Sequence, residues 1–289
     1  LIYVKLLLTA VFWGGTFIAG RAIAGSVDPF SAAFLRFAVA SVLLLLLTLH
    51  AEGRIPRLRR GQILPLILAG MTGVFAYNAL FFKGVQLVTA SRASLIVAMN
   101  PVLITLAAAV FFKDRLNLMK VMGIVLSVFG AFIVISKGNP AEILREGVGF
   151  GELLLLGCVL SWVAFSLLGK MVVKGLSPLV SVSYSSAIGA AALFLPACGE
   201  GMLKKMFSYS PASWASILYL GVFGTVLGFV WYYEGIKAIG PAKAGQFINF
   251  VPISALLLAF LILREPITIS LLIGAAFVIS GVYLTNMRF

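Results

Sequence analysis

Runs of about twenty apolar residues follow one another along nearly the whole chain, separated only by short charged breaks, and this pattern decides what solvent the protein lives in. A water-soluble core pairs each buried face with a wet polar face, and these runs leave no polar face to expose. With 62% hydrophobic residues, 11% charged and a mean hydropathy of +1.12, nothing is left over for a soluble domain. Lipid offers no hydrogen bonds to a bare backbone, so each run must satisfy its own peptide groups as a helix. The runs predict an all-α integral membrane protein with ten transmembrane helices, near 3–22, 29–49, 62–82, 90–112 and 117–137, then 149–171, 177–197, 212–236, 242–263 and 267–286.

The second set of five repeats the first. A shift of 151 lays Gly84 on Gly235, Arg92 on Lys243, Pro101 on Pro252, Asp114 on Glu265, Gly123 on Gly274 and Gly130 on Gly281, without a gap. A shift of 149 does the same at the start of each set, laying Trp13 on Trp162, Gly20 on Gly169, Arg21 on Lys170 and Pro29 on Pro178. The units are residues 1–138 and 139–289. Five crossings per unit force the second copy to enter the membrane from the opposite side, which makes this an inverted repeat, the architecture of secondary carriers.

The formal charge of +13 is spread by topology and does not form a stripe with interleaved aromatics, which excludes a nucleic-acid partner. Its densest run, Arg54, Arg57, Arg59 and Arg60, falls between helices two and three, and the loops after even-numbered helices carry the excess of Lys and Arg. By the positive-inside rule both termini are cytoplasmic. The segment after Lys5 has the outline of a signal peptide, but its counterpart deep in the chain argues for a retained helix. Cys158 and Cys198 fall at different depths of antiparallel helices, against a disulfide or a metal site. His50 stands alone at a helix end. Without a buried histidine or a close carboxylate pair there is no catalytic constellation, no metal and no cofactor to expect.

Polar groups inside lipid are costly and mark candidate sites. Arg36 lies seven residues inside helix two, and its repeat counterpart is the neutral Ser185. It either holds a substrate carboxylate or phosphate, or it snorkels and hydrogen-bonds helix carbonyls. Asn100-Pro101 and Val251-Pro252 are equivalent. Each proline removes a backbone hydrogen bond, so helices four and nine should kink there, and paired interruptions of this kind point to a carrier's midplane site. Gln246 and Asn249 share a face before Pro252. With Tyr77, Asn78, Trp13, Trp162, Tyr184 and Trp231 they are candidates to line a cavity with aromatic walls and a few polar groups. Tyr232 and Tyr233 fit an interfacial aromatic belt better. The seven-residue spacing of Gly123 with Gly130, and of Gly274 with Gly281, predicts close approach of helices five and ten, within one molecule or between two, so the protein is a monomer or a homodimer. No Asp or Glu falls at a helix centre, which argues against coupling to protons through a buried carboxylate.

Phe12-Trp13-Gly14-Gly15, Pro29 with Arg36, the stretch from Phe81 through Gly84 to Asn100-Pro101, Asp114 and Glu265, and the paired glycines together resemble the drug/metabolite transporter superfamily, in its ten-helix EamA-type members. The resemblance covers nearly the whole chain. It implies a bacterial inner-membrane transporter whose central cavity is lined by helices one, three, four, six, eight and nine, with amino acids or other small metabolites as exported substrates. Relatives that move sugar phosphates or nucleotide sugars make an anion carrier the alternative. The glycine pairs also look like the dimerising helix of small multidrug transporters, whose first-helix glutamate this sequence lacks.

Overall fold

The computed structural model describes residues 1–112, 118–135, 139 and 148–286. The chain folds into α1 (Ile2–Ile23), α2 (Pro29–Glu52), α3 (Arg60–Leu87), α4 (Ala90–Val97 and Asn100–Phe112), α5 (Leu118–Ile135), α6 (Phe150–Val172), α7 (Pro178–Gly199), α8 (Pro211–Ile239), α9 (Lys243–Leu263) and α10 (Ile269–Asn286). Among the described residues, α1 to α4 and α6 to α9 are eight helices long and apolar enough to cross a membrane, and α5 and α10 are shorter apolar helices. Large side chains such as Leu195 and Leu261 point outward, as a lipid-facing surface requires. Helices three and eight run several residues beyond the expected 62–82 and 212–236. Lys83 and Lys237, just beyond those expected ends, consequently lie within helices.

Four pairings organise the bundle: α2 with α7, α5 with α10, α1 with α8 and α9, and α6 with α3 and α4. Each is its own counterpart, or has one, under the shifts that align the two halves. The glycines make this concrete. A Cβ on Gly70 in α3 would stand 2.8 Å from Ser185 O in α7, and one on Gly221 in α8 would stand 3.1 Å from Arg36 O in α2. Gly70 maps to Gly221, and Arg36 to Ser185. Between α5 and α10 a Cβ on Gly130 would come within 2.8 Å of Gly274 O, so the paired glycines serve contact inside the molecule. Lipid tails are as apolar as leucine, and close backbone packing of this kind replaces the hydrophobic effect as the force between helices.

Helix ends are tied across the halves as well. Glu200, after α7, accepts from Phe30 N and from Ser31 N and Oγ at the start of α2. Reciprocally Glu52, at the end of α2, accepts from Ser177 Oγ at the start of α7. Glu265, after α9, accepts from Ala90 N and from Ser91 N and Oγ at the start of α4. A carboxylate on the unpaired N–H groups of a helix start is favoured by charge and by hydrogen bonding together. Asp114, its repeat counterpart, lies outside the described residues. Beside these caps Lys205 donates to Asp28 at 2.6 Å, which raises the ammonium's pKa above the ordinary lysine value.

The relative sense of α1 and α6 follows from their contacts. Arg21, near the end of α1, donates to Val85 O and Gln86 O at the end of α3. Gly151, near the start of α6, packs against Leu87 and Val88 at that same end. The end of α1 therefore lies beside the start of α6, and the two helices run in opposite senses. They cross where Trp13 meets Trp162 edge-to-face, ring centres 5.1 Å apart.

Candidate functional site

Four helix interruptions converge on that crossing. Pro101 cannot donate to Val97 O, and α4 breaks into a turn at Ala98-Met99. Pro252 cannot donate to Ile248 O, and α9 tightens into a 3-10 turn over Phe247–Asn249. The two interruptions thus stand just before each proline, at equivalent places. The other two interruptions are π-helical segments, Gly70–Ala76 in α3 and Val222–Leu227 in α8, in which Tyr77 N–H reaches Thr72 O and Gly228 N–H reaches Phe223 O, five residues back. These too are equivalent, and the sequence reading missed them. A π segment leaves carbonyls without their usual partners and recurs at functional sites.

Those carbonyls anchor the polar side chains. Asn78 donates to Val74 O at 2.8 Å and to Gly73 O at 3.3 Å in the α3 segment. In the α8 segment Gly224 O accepts from Trp13 Nε1 at 3.0 Å. Arg36 joins the two segments: Nη1 donates to Asn78 Oδ1 at 2.9 Å, Nε to Thr225 Oγ1 at 2.9 Å, and Nη2 reaches Gly224 O at 3.5 Å. The guanidinium also stands 5.9 Å from the Phe229 ring. It is 3% exposed, and its partners are neutral. Ion pairs such as Lys5 with Glu234, Arg92 with Glu152, and Lys205 with Asp28 stand elsewhere.

Arg36 faces a central cavity with Trp13, Tyr77, Asn100, Trp162 and Phe229 among its walls, together with Val97 and Val251 at the two proline breaks. Asn100 Oδ1 and Trp162 Nε1 are buried there without a hydrogen-bond partner among the described residues. The free space is about 30 Å³, room for about two waters and far below the roughly 300 Å³ at which ligand pockets begin.

Of the ten candidate lining residues, five meet at this cavity: Trp13, Arg36, Tyr77, Asn100 and Trp162. Asn78 stands behind it as the acceptor for Arg36. Tyr184 does not reach it, because its hydroxyl donates to Pro56 O in the α2–α3 loop. Trp231 packs on Phe12 and under Lys5, toward the N-terminal end of α1. Asn249 is half-buried on the 3-10 turn with Oδ1 unpartnered, and it is not among the cavity walls. The Gln246 side chain lies outside the described residues. Tyr232 and Tyr233 correct the aromatic-belt expectation: both are 1% exposed and pack on Trp162 and Phe165 respectively, because they sit on the inner face of α8.

Comparison with known proteins agrees with this architecture. The chain matches the EamA-like transporter family twice, over residues 1–136 and 149–287. It is 31% identical to the uncharacterized transporter YyaM of Bacillus subtilis over 97% of this chain and 92% of the relative. It is also 31% identical to a probable terminal-alkyne amino-acid exporter of Streptantibioticus cattleyicolor, over 98% of this chain and 92% of that protein. A solved crystal structure covers 97% of the chain with a TM-score of 0.69 at 20% identity, a likeness of fold alone. The chain is an integral membrane transporter and belongs to the EamA-like transporter family of the drug/metabolite transporter superfamily.

Proposed function

We propose that this transporter is an alternating-access exporter of amino acids or related small metabolites that carry a carboxylate. In this reading ten transmembrane helices form two inverted repeats, 1–138 and 139–289, with both termini cytoplasmic in a bacterial inner membrane. Rocking one repeat against the other opens the central cavity to each side in turn. The observation that carries the reading is Arg36, a buried cation with neutral partners facing an aromatic-walled cavity. A full positive charge in a water-poor site is complete only when an anion joins it, and a guanidinium matches a carboxylate in two parallel hydrogen bonds. Asn100 Oδ1 offers an acceptor to an ammonium, Trp162 Nε1 offers a further donor, and the surrounding rings suit an apolar side chain.

An anion carrier for sugar phosphates or nucleotide sugars would require more positive charge around the cavity. Lys83 instead stacks over Phe30, 4.7 Å from the ring centre, and Lys237 is exposed. Counterflow in liposomes tests the choice. Exchange of labelled L-phenylalanine, lost in Arg36→Gln, is expected; exchange confined to phosphorylated compounds would replace the reading with the anion carrier.

A further inference from the structure

We propose that the groove where α2, α3, α6 and α7 meet binds one phospholipid whose headgroup carries a phosphate diester and a primary ammonium, as phosphatidylethanolamine does. A cavity of about 490 Å³ opens there, within the size range of ligand pockets. Its walls include Phe30 at the start of α2, Lys83 and Leu87 near the end of α3, Phe150 and Leu154 at the start of α6, and Glu200 just after α7. Phe150 and Leu87 are 67% and 61% exposed, large apolar side chains that acyl chains suit and water does not.

The two halves supply an internal comparison. The shift of 151 lays Lys83 on Glu234, and the shift of 149 lays Lys5 on Leu154. At one end of the molecule Glu234 on α8 is paired with Lys5 on α1, 2.6 Å apart. At the other end the equivalent place beside Lys83 holds Leu154, which has no charge to offer. Lys83 stands instead over the Phe30 ring, 4.7 Å from its centre, and no carboxylate among the described residues forms an ion pair with it. Where one end of the frame has an ion pair, this end has a cation and an open groove. Depth selects a phosphate to fill it. The 28 residues of α3 rise about 42 Å, roughly 12 Å more than a hydrocarbon core of about 30 Å. Centred in the bilayer, α3 clears the core by about 6 Å at each end, which is the rise from Lys83 to Leu87. The ammonium of Lys83 then lies where hydrocarbon gives way to phosphate, with Glu200 further out.

Glu200 supplies the second charge. Its carboxylate accepts from Phe30 N and from Ser31 N and Oγ, which leaves one of its roughly four lone-pair positions open. Lys205, close to it, is committed to Asp28. Phe30 links the two charged groups, since its N–H donates to Glu200 and its ring lies under Lys83. A phosphoethanolamine headgroup has the matching order, phosphate inward on Lys83 and ammonium outward on Glu200. The lipid then ties α3 of the first half to the end of α7 of the second, as Lys5 and Glu234 tie α1 to α8.

Native mass spectrometry of the delipidated full chain, titrated in detergent with dioleoyl lipids, tests the site. One phosphatidylethanolamine per chain is expected, held about tenfold more tightly than phosphatidylcholine, whose ammonium has no N–H for Glu200, or phosphatidylglycerol, which has no cation. Lys83→Gln should weaken it by about tenfold, and Glu200→Gln should erase the preference over phosphatidylcholine. Lys5→Gln, at the counterpart place, should leave binding unchanged. Equal affinity for the three lipids in the wild type would overturn the proposal, as would tighter binding of phosphatidylglycerol or unchanged affinity in Lys83→Gln. Displacement of the lipid by free phosphoethanolamine at equal concentration would overturn it too, by making a soluble anion the occupant. The wild-type lipid series decides the matter even if neither variant folds.

Discussion

Asn78→Leu removes one acceptor and one donor from the middle of the bundle at nearly constant volume. The acceptor is Oδ1, 2.9 Å from Arg36 Nη1, and the donor is Nδ2, which serves two carbonyls of the α3 π segment. Asn78 is 0% exposed and Arg36 3%, so neither loss is made good by solvent. A hydrogen bond to a charged group contributes about 1.5–3 kcal/mol, and stranding a buried acceptor costs about 1–3 kcal/mol. The single substitution should therefore destabilise by roughly 2.5–6 kcal/mol. The part owed to the charge is isolated by a double-mutant cycle with Arg36→Gln, since a neutral side chain has no stranded cation to compensate. The coupling expected is about 1.5–3 kcal/mol, read from unfolding of the purified protein in mixed micelles of increasing SDS fraction. If Asn78→Leu costs the same with and without Arg36, the guanidinium does not depend on that carboxamide, and the account of the anchored cation is wrong.

Other perturbations separate packing, capping and surface charge. Gly130→Val should abolish monodisperse protein on size exclusion, because its Cβ would press on the backbone of Val278 and Gly274, whereas Gly25→Ala, with nothing within 4 Å, should be neutral. Glu265→Ala strips the cap from α4 and should lower stability by about 0.5–2 kcal/mol in the same SDS titration, while Glu265→Gln, which keeps an acceptor, should recover part of it. The raised pKa of Lys205 makes its pairing with Asp28 a stabilising contact that is fully present below the ordinary lysine pKa of about 10.4 and lost as pH rises through the higher folded value. Lys205→Met should flatten the difference between SDS midpoints measured below and above that range; an unchanged alkaline slope would remove Lys205 from the explanation.

Membrane immersion was legible at once, because hydropathy alone identifies a run that cannot live in water, and so were Arg36 and the two prolines, whose chemistry is conspicuous inside lipid. The π segments were present in the same alignment and went unread. Continuing the shift of 151 backward lays Gly70 on Gly221 and Gly73 on Gly224, a paired Gly-x-x-Gly at the level of Arg36. What a sequence does not carry is the direction in which a residue points. Tyr184 and Tyr232 are both tyrosines within apolar helices, yet one reaches a loop carbonyl and the other lies in the core. The pairing of Arg92 with Glu152 was hidden for a related reason. Only the packing of α4 on α6 brings the two side chains together.

The scaffold repeats but the chemistry does not. The three polar groups that define the central cavity and its support, Arg36, Asn78 and Asn100, belong to the first half, and their counterparts in the second half are Ser185, Phe229 and Val251. Matching breaks, π segments and glycine contacts give each half a similar frame, as the proposed alternating-access cycle would require of two conformations opening to opposite sides. A carboxylate anchored symmetrically would have to be handed from one half to the other as the cavity changes sides. With the cation and both amides on one half, the polar end of the proposed substrate would stay with that half, while the other half contributes Phe229, Val251 and the Thr225 hydroxyl. Thr225 holds Arg36 across the divide, so in the proposed alternating-access cycle parting the halves would free one edge of the guanidinium. That free edge is where an incoming carboxylate would bind.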